Sequence, residues 1–194
     1  PAARQAVLDA VGAQPHPPAQ PDGRPQVSEA ELEQALLRCR AGKAPGPDGL
    51  PVQLYKSYSD WLLPLLSRVF TAMGSLNQAP PGFTDGIVVG IPKPSAPDPA
   101  SASPAALRPI TLLNTDYRLL AVALAERLQP ALRDAISPSQ TAYLRGRRMG
   151  ANILTLQLLA HTLPPESHLC AVLVDFSKAF DTVDRGFLLD TMAA

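Results

Sequence analysis

The sequence has few of the residues that build metal clusters, disulfide frameworks or membrane anchors. Only two cysteines occur among 194 residues, Cys39 and Cys170, and neither has a partner at metal-ligand spacing. Two isolated cysteines exclude a disulfide scaffold and are typical of a reducing compartment. The three histidines are scattered, which excludes a histidine-based zinc site. No apolar run approaches the roughly 20 residues that span a bilayer, and no signal-peptide pattern is present. We therefore expect an intracellular protein, in the cytoplasm and/or the nucleus, without membrane contact.

Charge of one sign is also lacking, since 17 basic residues balance 17 acidic ones. The distribution along the chain is less even. Residues 105–150 contain seven arginines and three acids, whereas residues 151–194 contain two basic and five acidic residues. A basic segment followed by an acidic one suits a site that holds both a polyanion and a metal, although ordinary surface variation produces similar counts.

Proline is abundant, with 22 residues, about twice the usual share. Many prolines fall between residues 15 and 25 and between residues 80 and 109. The first cluster predicts a Pro-rich, disordered leader over residues 1–27, followed by one domain over residues 28–194. The chain begins with Pro1 and ends inside a helical pattern at Ala194, so we expect a fragment of a longer protein.

Helical patterns dominate the rest of the chain. Ser28 and Glu31 form a capping-box pattern for a helix that we expect to stop at Gly42. A second helix is predicted over residues 61–76, capped by Ser59 or Asp60. Its predicted apolar face consists of Leu62, Leu65, Leu66, Val69, Phe70 and Met73. Further helices are predicted over residues 117–132 and 152–161.

Two short apolar segments predict strands. "GIVVGIP" at residues 86–92 and "LRPITLLN" at residues 107–114 are expected to form a hairpin, with Lys93 and Arg108 near its ends. The Pro- and Gly-rich segment "GKAPGPDGLP" at residues 42–51 predicts a rigid, exposed loop. The fold class is therefore α+β, helix-rich with short antiparallel strands.

Asp175 is the first candidate site residue, because it ends the apolar run Ala171–Val174, which predicts a buried strand. A carboxylate there requires a partner, and a cation such as Mg²⁺ is the obvious one. Asp181, six residues later, would lie about 20 Å away on a strand or on a different face of a helix. Asp175 alone is thus the plausible metal ligand, and the neighbouring peptide carbonyl of Phe176 could add an oxygen. A strand-terminating turn acid is the alternative.

Five motifs in order resemble the reverse transcriptases of non-LTR (LINE-type) retrotransposons and their group II intron relatives. "LVDFSKAFDTV" resembles the first catalytic motif. "GKAPGPDGLP" is similar to the segment before the fingers, and "GIVVGIPKP" to the first fingers strand. "LRPITLLNTDYRLLAVALAERLQPAL" and "SQTAYLRGRRMGANIL" are similar to the next two motifs. The resemblance covers residues 28–190.

The resemblance implies a partial right-hand polymerase, comprising the fingers and the start of the palm. It implies an RNA-directed DNA polymerase that uses an RNA template, a DNA primer, dNTPs and two Mg²⁺ ions, with Mn²⁺ as a possible substitute. Roles carry over by position: Asp175 and the Phe176 carbonyl for metal, Phe180 as the steric gate under the sugar, and Lys93 and Arg108 as triphosphate clamps. In the same reading Arg145, Arg147 and Arg148 contact nucleic-acid phosphate. Without the family resemblance, the lysine and arginines named here would be interpreted as solvated surface charges, and Phe180 as a core residue.

The sequence departs from the family pattern in several places. Ala142 and Tyr143 replace the usual Gly-Phe, Arg118 the usual Lys, and Leu107 a frequent Tyr, which preserves charge or bulk. The larger departure is that the chain ends before the Gly-rich motif and the paired Asp-Asp of the palm. We expect the chain alone, without the C-terminal palm and thumb, to be inactive. The alternatives are a non-catalytic remnant that at most binds nucleic acid weakly, or another Mg²⁺ phosphotransferase.

Overall fold

A computed structural model describes residues 26–94, 103–164, 172–176 and 179–193, together with residues 2, 5, 6 and 9. The chain divides into two compact units, one formed by Gln20–Leu128 and the other by Pro1–Ala19 with Gln129–Ala194. Most of the predicted Pro-rich leader lies outside the described residues. Its last residue, Val27, is buried in the core of the first unit.

The described elements are helical apart from one hairpin. In chain order they are α1 (Glu29–Arg38), α2 (Val52–Ser57), α3 (Ser59–Leu76), β1 (Gly86–Pro92), a 3₁₀ turn (Pro104–Ala106), β2 (Leu107–Leu113), α4 (Thr115–Ala135), α5 (Gly150–Thr162) and α6 (Arg185–Ala193). A helix-rich chain with a two-stranded antiparallel sheet confirms the predicted α+β content. None of the helices in this described part combines the length and hydropathy that a membrane crossing requires.

Helix α1 starts as the capping box predicts. The Ser28 hydroxyl accepts the Glu31 N–H, and the Glu31 carboxylate accepts the Ser28 N–H in return. The predicted stop at Gly42 is wrong, because the helix ends at Arg38 and Cys39 is already extended. Cys39 is buried, so core packing turns the chain before the glycine is reached. Gly42 instead occupies the following turn at φ +74°.

Helix α3 follows α2 almost directly, and Tyr58 separates the two helices. The predicted capping by Ser59 or Asp60 is therefore wrong, since both residues lie inside the helix. The buried side chains are Leu63 and Phe70. Leu65, predicted on the apolar face, is 45% exposed. The face that packs runs through positions 63, 66, 70 and 73, which are three or four residues apart as one helix face requires.

A single hydrophobic core joins α1, α2, α3 and α4 within the first unit. Its buried members include Leu32, Val52, Phe70 and Leu119. Phe83, between α3 and β1, places its ring 6.1 Å from that of Phe70 and 5.5 Å from that of Tyr117. This aromatic contact anchors the segment that leads into the hairpin.

An ion pair also ties α1 to α4. Arg127 donates from Nε to Glu31 Oε1 and from Nη2 to Glu31 Oε2, both at 2.8 Å. The hydrogen bonds from Arg127 lower the pKa of Glu31 to about 2, against the opposing effect of partial burial, and the bonds from Ser28 add to the lowering. Glu31 therefore serves the α1 cap and the α1–α4 contact at once.

Strands β1 and β2 pair antiparallel over their whole length, from Gly86 opposite Leu113 to Pro92 opposite Leu107. This confirms the predicted hairpin. Apolar side chains are exposed along it, among them Ile87, Val88 and Ile110. The hairpin thus projects its apolar residues to solvent in the described part of the first unit.

In the second unit, the predicted buried strand before Asp175 is wrong as far as the structure describes it. Residues 172–176 form no strand, and Val172 and Leu173 are 78% and 87% exposed. A strand requires a neighbour to satisfy its backbone groups, and among the described residues the sheet contains only β1 and β2. Residue 171 lies outside the described residues.

Helices α5 and α6 lie in the same unit and have no buried residue in their described parts. Apolar side chains of α5, including Ile153 and Leu156, are exposed. Asp184 caps α6, since its Oδ1 accepts the Phe187 N–H at 2.8 Å. Asp181 lies in the turn that precedes this helix.

Candidate active site

Lys93 and Arg108 come together at one end of the hairpin. Arg108 is paired with Ile91, and the Lys93 N–H bonds the Ala106 carbonyl at 2.9 Å. This register puts the two cationic side chains diagonally on the same face, about 7–8 Å apart at the backbone. Arg108 is exposed and Lys93 half-buried. Two long cationic side chains at that spacing can reach a single anion.

The loop of residues 42–51 is fastened to the junction of β2 and α4. The Asp48 N–H donates to Asn114 Oδ1 at 3.2 Å, and the Thr115 hydroxyl donates to the Leu50 carbonyl at 2.9 Å. Gly46 is buried, and a Cβ there would collide with the backbone nitrogen and Oδ1 of Asn114. The loop was predicted to be exposed throughout, and this is wrong at Gly46.

Two carboxylates and a phenol lie around this junction. Burial raises the pKa of Asp116, and the nearby charge of Asp48 raises it further. Burial likewise raises the pKa of Tyr55 to about 12, with Asp116 and Asp48 contributing. The Tyr55 phenol is therefore neutral at physiological pH. This junction directly follows β2, and its first residue, Asn114, lies six residues after Arg108.

The arginine loop, defined as residues 143–148, belongs to the second unit. Arg145 and Arg148 have exposed side chains, whereas Arg147 is half-buried. Its guanidinium donates to four backbone carbonyls: Arg133, Ile136, Ser137 and Gln140. The three arginines that sequence grouped together therefore occupy different environments.

Asp175, Phe176 and Phe180 lie in the second unit and are all exposed, with Phe180 at 82%. A carboxylate and a peptide carbonyl are the oxygen donors that Mg²⁺ prefers, so the donor types fit. Their number is insufficient for a closed site, since no group of three or more His, Cys, Asp or Glu side chains lies close enough to hold a metal among the described residues. The metal would need carboxylates beyond these two donors.

Comparison with known proteins assigns the family. Residues 91–194, more than half of the chain, match the family described as "Reverse transcriptase (RNA-dependent DNA polymerase)". The chain belongs to the reverse transcriptase family. It is also 31% identical over 186 residues to a Xenopus laevis protein named "Transposon TX1 uncharacterized 149 kDa protein", a match that covers 89% of this chain and 14% of that protein. The two matches support the resemblance to LINE-type retrotransposon reverse transcriptases.

Within this reverse transcriptase chain, the structure brings together one part of the predicted site. Lys93 and Arg108 share the end of the hairpin, whereas Asp175, Phe176 and Phe180 belong to the other unit. Sequence reasoning missed the support given by Asn114 and Gly46. A glycine among prolines, as in "APGPDG", is a signal for a close backbone approach, but its distant partner has no local signature.

Proposed function

We propose that the protein carrying this chain is an RNA-directed DNA polymerase that adds dNTPs to a primer 3′ end. The family match carries the proposal, because residues 91–194 include Lys93, Arg108, Asp175 and Phe180. The chain spans 14% of the length of its Xenopus laevis relative, so the proposal concerns the longer protein. In it, residues 28–194 would form the fingers and the N-terminal part of the palm.

Asp175 and the carbonyl of Phe176 would hold Mg²⁺, or Mn²⁺ in its place, together with the family's paired aspartates. Two such ions neutralise charge on the attacking and leaving oxygens of phosphoryl transfer. The exposure of Asp175 supports this assignment, since a ligand for a substrate-bound ion must be accessible. Phe180, also exposed and five residues further on, would face the sugar and exclude the 2′-hydroxyl.

Lys93 and Arg108 would clamp the incoming triphosphate. Their shared face at the end of the hairpin supports this role, because a triphosphate carries several charged oxygens within a few ångströms. Phosphoryl transfer spreads negative charge over those oxygens in the transition state, and positioned cations stabilise it. The clamp would thus contribute to rate as well as to binding.

The partners in this proposal are an RNA template, a DNA primer and dNTPs. The exposed side chains of Arg145 and Arg148 would contact template or primer phosphates, which fix the position of the duplex without reading its sequence. Because the reaction consumes dNTPs, we expect the protein to act in the cytoplasm or the nucleus.

Primer extension tests the proposal. The longer protein is incubated with a 5′-labelled DNA primer on an RNA template, dNTPs and Mg²⁺, and the products are resolved by length. We expect template-dependent extension that stops when Mg²⁺ is chelated. No extension is expected when ribonucleotides replace the dNTPs. Binding of the primer–template without extension would contradict the proposed polymerase activity and would support the alternative of a non-catalytic remnant.

A further inference from the structure

The guanidinium of Arg147 is bound by backbone carbonyls of the segment that precedes the arginine loop. Nη1 donates to the carbonyls of Ser137 at 2.5 Å and Gln140 at 2.8 Å. Nη2 donates to the carbonyls of Arg133 at 3.0 Å and Ile136 at 2.9 Å. The two terminal nitrogens of a guanidinium carry four N–H groups, so these four bonds use all of them.

Two of the acceptors explain why a cation is stable here. Arg133 lies in the last turn of α4, and Ile136 directly follows the helix. The last carbonyls of a helix lack partners within it and form the negative end of its dipole. A guanidinium placed there supplies both the missing donors and the favourable charge. Ser137 and Gln140 extend the same contact into the connection that follows.

The arginine loop has a second attachment to α4. Gln129 Nε2 donates to the Tyr143 carbonyl at 3.1 Å, and Gln129 Oε1 accepts the Arg145 N–H at 3.0 Å. The Arg147 N–H bonds the carbonyl of the buried Leu144 at 3.2 Å. Gln129 and Arg147 therefore hold the loop on either side of Gly146, which adopts φ +81°.

We propose that Arg147 is a positioning residue. It fixes the arginine loop on the C-terminal end of α4 and so presents Arg145 and Arg148 to nucleic-acid phosphate. A phosphate bound by Arg147 itself would have to compete for N–H groups that already serve four carbonyls. This inference rests on the proposed function. It assigns phosphate contact to Arg145 and Arg148, and support of the loop to Arg147.

Charge-conserving substitutions separate the two roles. Lysine keeps the charge and still binds phosphate as a point charge, but its single ammonium cannot reproduce the four-carbonyl fork. The affinity of this chain for a fluorescent RNA–DNA hybrid duplex is measured at several salt concentrations between about 50 and about 200 mM. Phosphate contacts make the affinity fall steeply with salt over this range. Arg148→Lys should bind within about 3-fold of the unsubstituted chain. Arg147→Lys should bind about 10-fold more weakly, because the loop is released.

A neutral variant and a second readout guard against misfolding. Gln129→Leu removes the other attachment without changing charge, so it should weaken binding severalfold while the salt slope stays unchanged, whereas Arg148→Ala should lower the slope by about 0.7–0.9. Hydrogen exchange at the Arg145 and Arg147 amides should accelerate in Arg147→Lys and not in Arg148→Lys. Circular dichroism establishes that each variant retains its helices.

Each outcome decides a point. Unchanged binding and unchanged amide exchange in Arg147→Lys, with a lower salt slope in Arg147→Ala, would make Arg147 a direct phosphate contact and overturn the inference alone. An unsubstituted chain that does not bind the duplex would contradict the proposed nucleic-acid contact and the inference with it. Weaker binding in Arg147→Lys and Gln129→Leu, together with faster exchange in Arg147→Lys, supports the positioning role.

Discussion

The side-chain oxygen of Asn114 accepts a hydrogen bond from the Asp48 N–H at 3.2 Å across 66 residues of sequence. Asn114 is buried and directly follows β2, the strand that carries Arg108. The loop of residues 42–51 thereby supports the strand that carries Arg108, which is proposed to bind the triphosphate. A motif that looks like a surface turn in the sequence is part of the framework behind the candidate site.

The close approach of Gly46 to Asn114 makes that position intolerant of a side chain. We expect Gly46→Ala to lower the free energy of unfolding by about 2 kcal/mol or more, because the new Cβ displaces backbone as well as the Asn114 amide. Ala44→Ser adds one atom at an exposed position of the same loop and should change it by less than about 0.5 kcal/mol. Urea denaturation measures both. Equal stability of the two variants would contradict the close packing.

The Glu31–Arg127 ion pair predicts a pH-dependent contribution to stability. Glu31→Gln retains the helix cap but loses the ion pair, which after solvent screening contributes about 1–2 kcal/mol at pH 7. The folded-state pKa of Glu31 lies at about 2, below the ordinary value of 4.5. The stabilisation is therefore fully present above pH 4.5 and disappears as the pH falls toward 2.

Urea midpoints of the Glu31→Gln variant and the unsubstituted chain should accordingly converge between pH 4.5 and pH 2. Arg38→Gln is the matched control, because it removes the more exposed α1–α4 pair with Glu126 and should cost less than about 1 kcal/mol. A difference for Glu31→Gln that stays constant down to pH 2 would rule out the ion pair as its source.

Neutralising either cation of the hairpin, Lys93 or Arg108, should weaken transition-state stabilisation in the longer protein. Arg108→Gln should reduce kcat/KM for dNTP by about 10- to 100-fold, the usual effect of losing a hydrogen bond to a charged group, and Lys93→Gln should act in the same direction. Lys56→Gln removes an exposed charge in the last turn of α2 and should leave kcat/KM unchanged. Steady-state extension at varied dNTP concentration measures all three. Equal effects of Arg108→Gln and Lys56→Gln would exclude the clamp.

The proposed role of Phe180 is selectivity for deoxyribose over ribose. Phe180→Ala should reduce discrimination between dNTP and the matching ribonucleotide by about 10-fold or more, because an open site no longer excludes the 2′-hydroxyl. Val183→Ala shortens another exposed side chain nearby and should retain the selectivity of the unsubstituted protein. The measurement is the ratio of kcat/KM values for the two substrates. A ratio unchanged by Phe180→Ala would leave the gate to another residue.

Local chemistry made much of this fold predictable. The Ser28–Glu31 cap depends on residues three positions apart, and the β1–β2 hairpin depends on two apolar segments that follow each other along the chain. Failures arose where distant atoms decide the outcome. Cys39 ends α1 through core burial rather than through the glycine at 42, and the run at 172–174 has no strand partner among the described residues.

The candidate site shows the same division. The hairpin pattern alone predicts Lys93 and Arg108 near the ends of the hairpin, and in the structure both lie at the same end. Arg147 was grouped with its neighbours because sequence shows charge but not acceptors. The four carbonyls that it binds come from positions 7 to 14 residues earlier, and only the folded backbone brings them together.

The most direct test of the central claim compares two neighbouring acids in the longer protein. Asp175→Asn removes the proposed metal ligand, and Asp181→Asn removes a carboxylate from the turn six residues later that has no proposed role in catalysis. RNA-templated primer extension should fall by at least about 1,000-fold in Asp175→Asn, since metal-based charge stabilisation supplies several kcal/mol, and should stay within about 3-fold in Asp181→Asn. Extension by Asp175→Asn at near-normal rates would contradict the assignment.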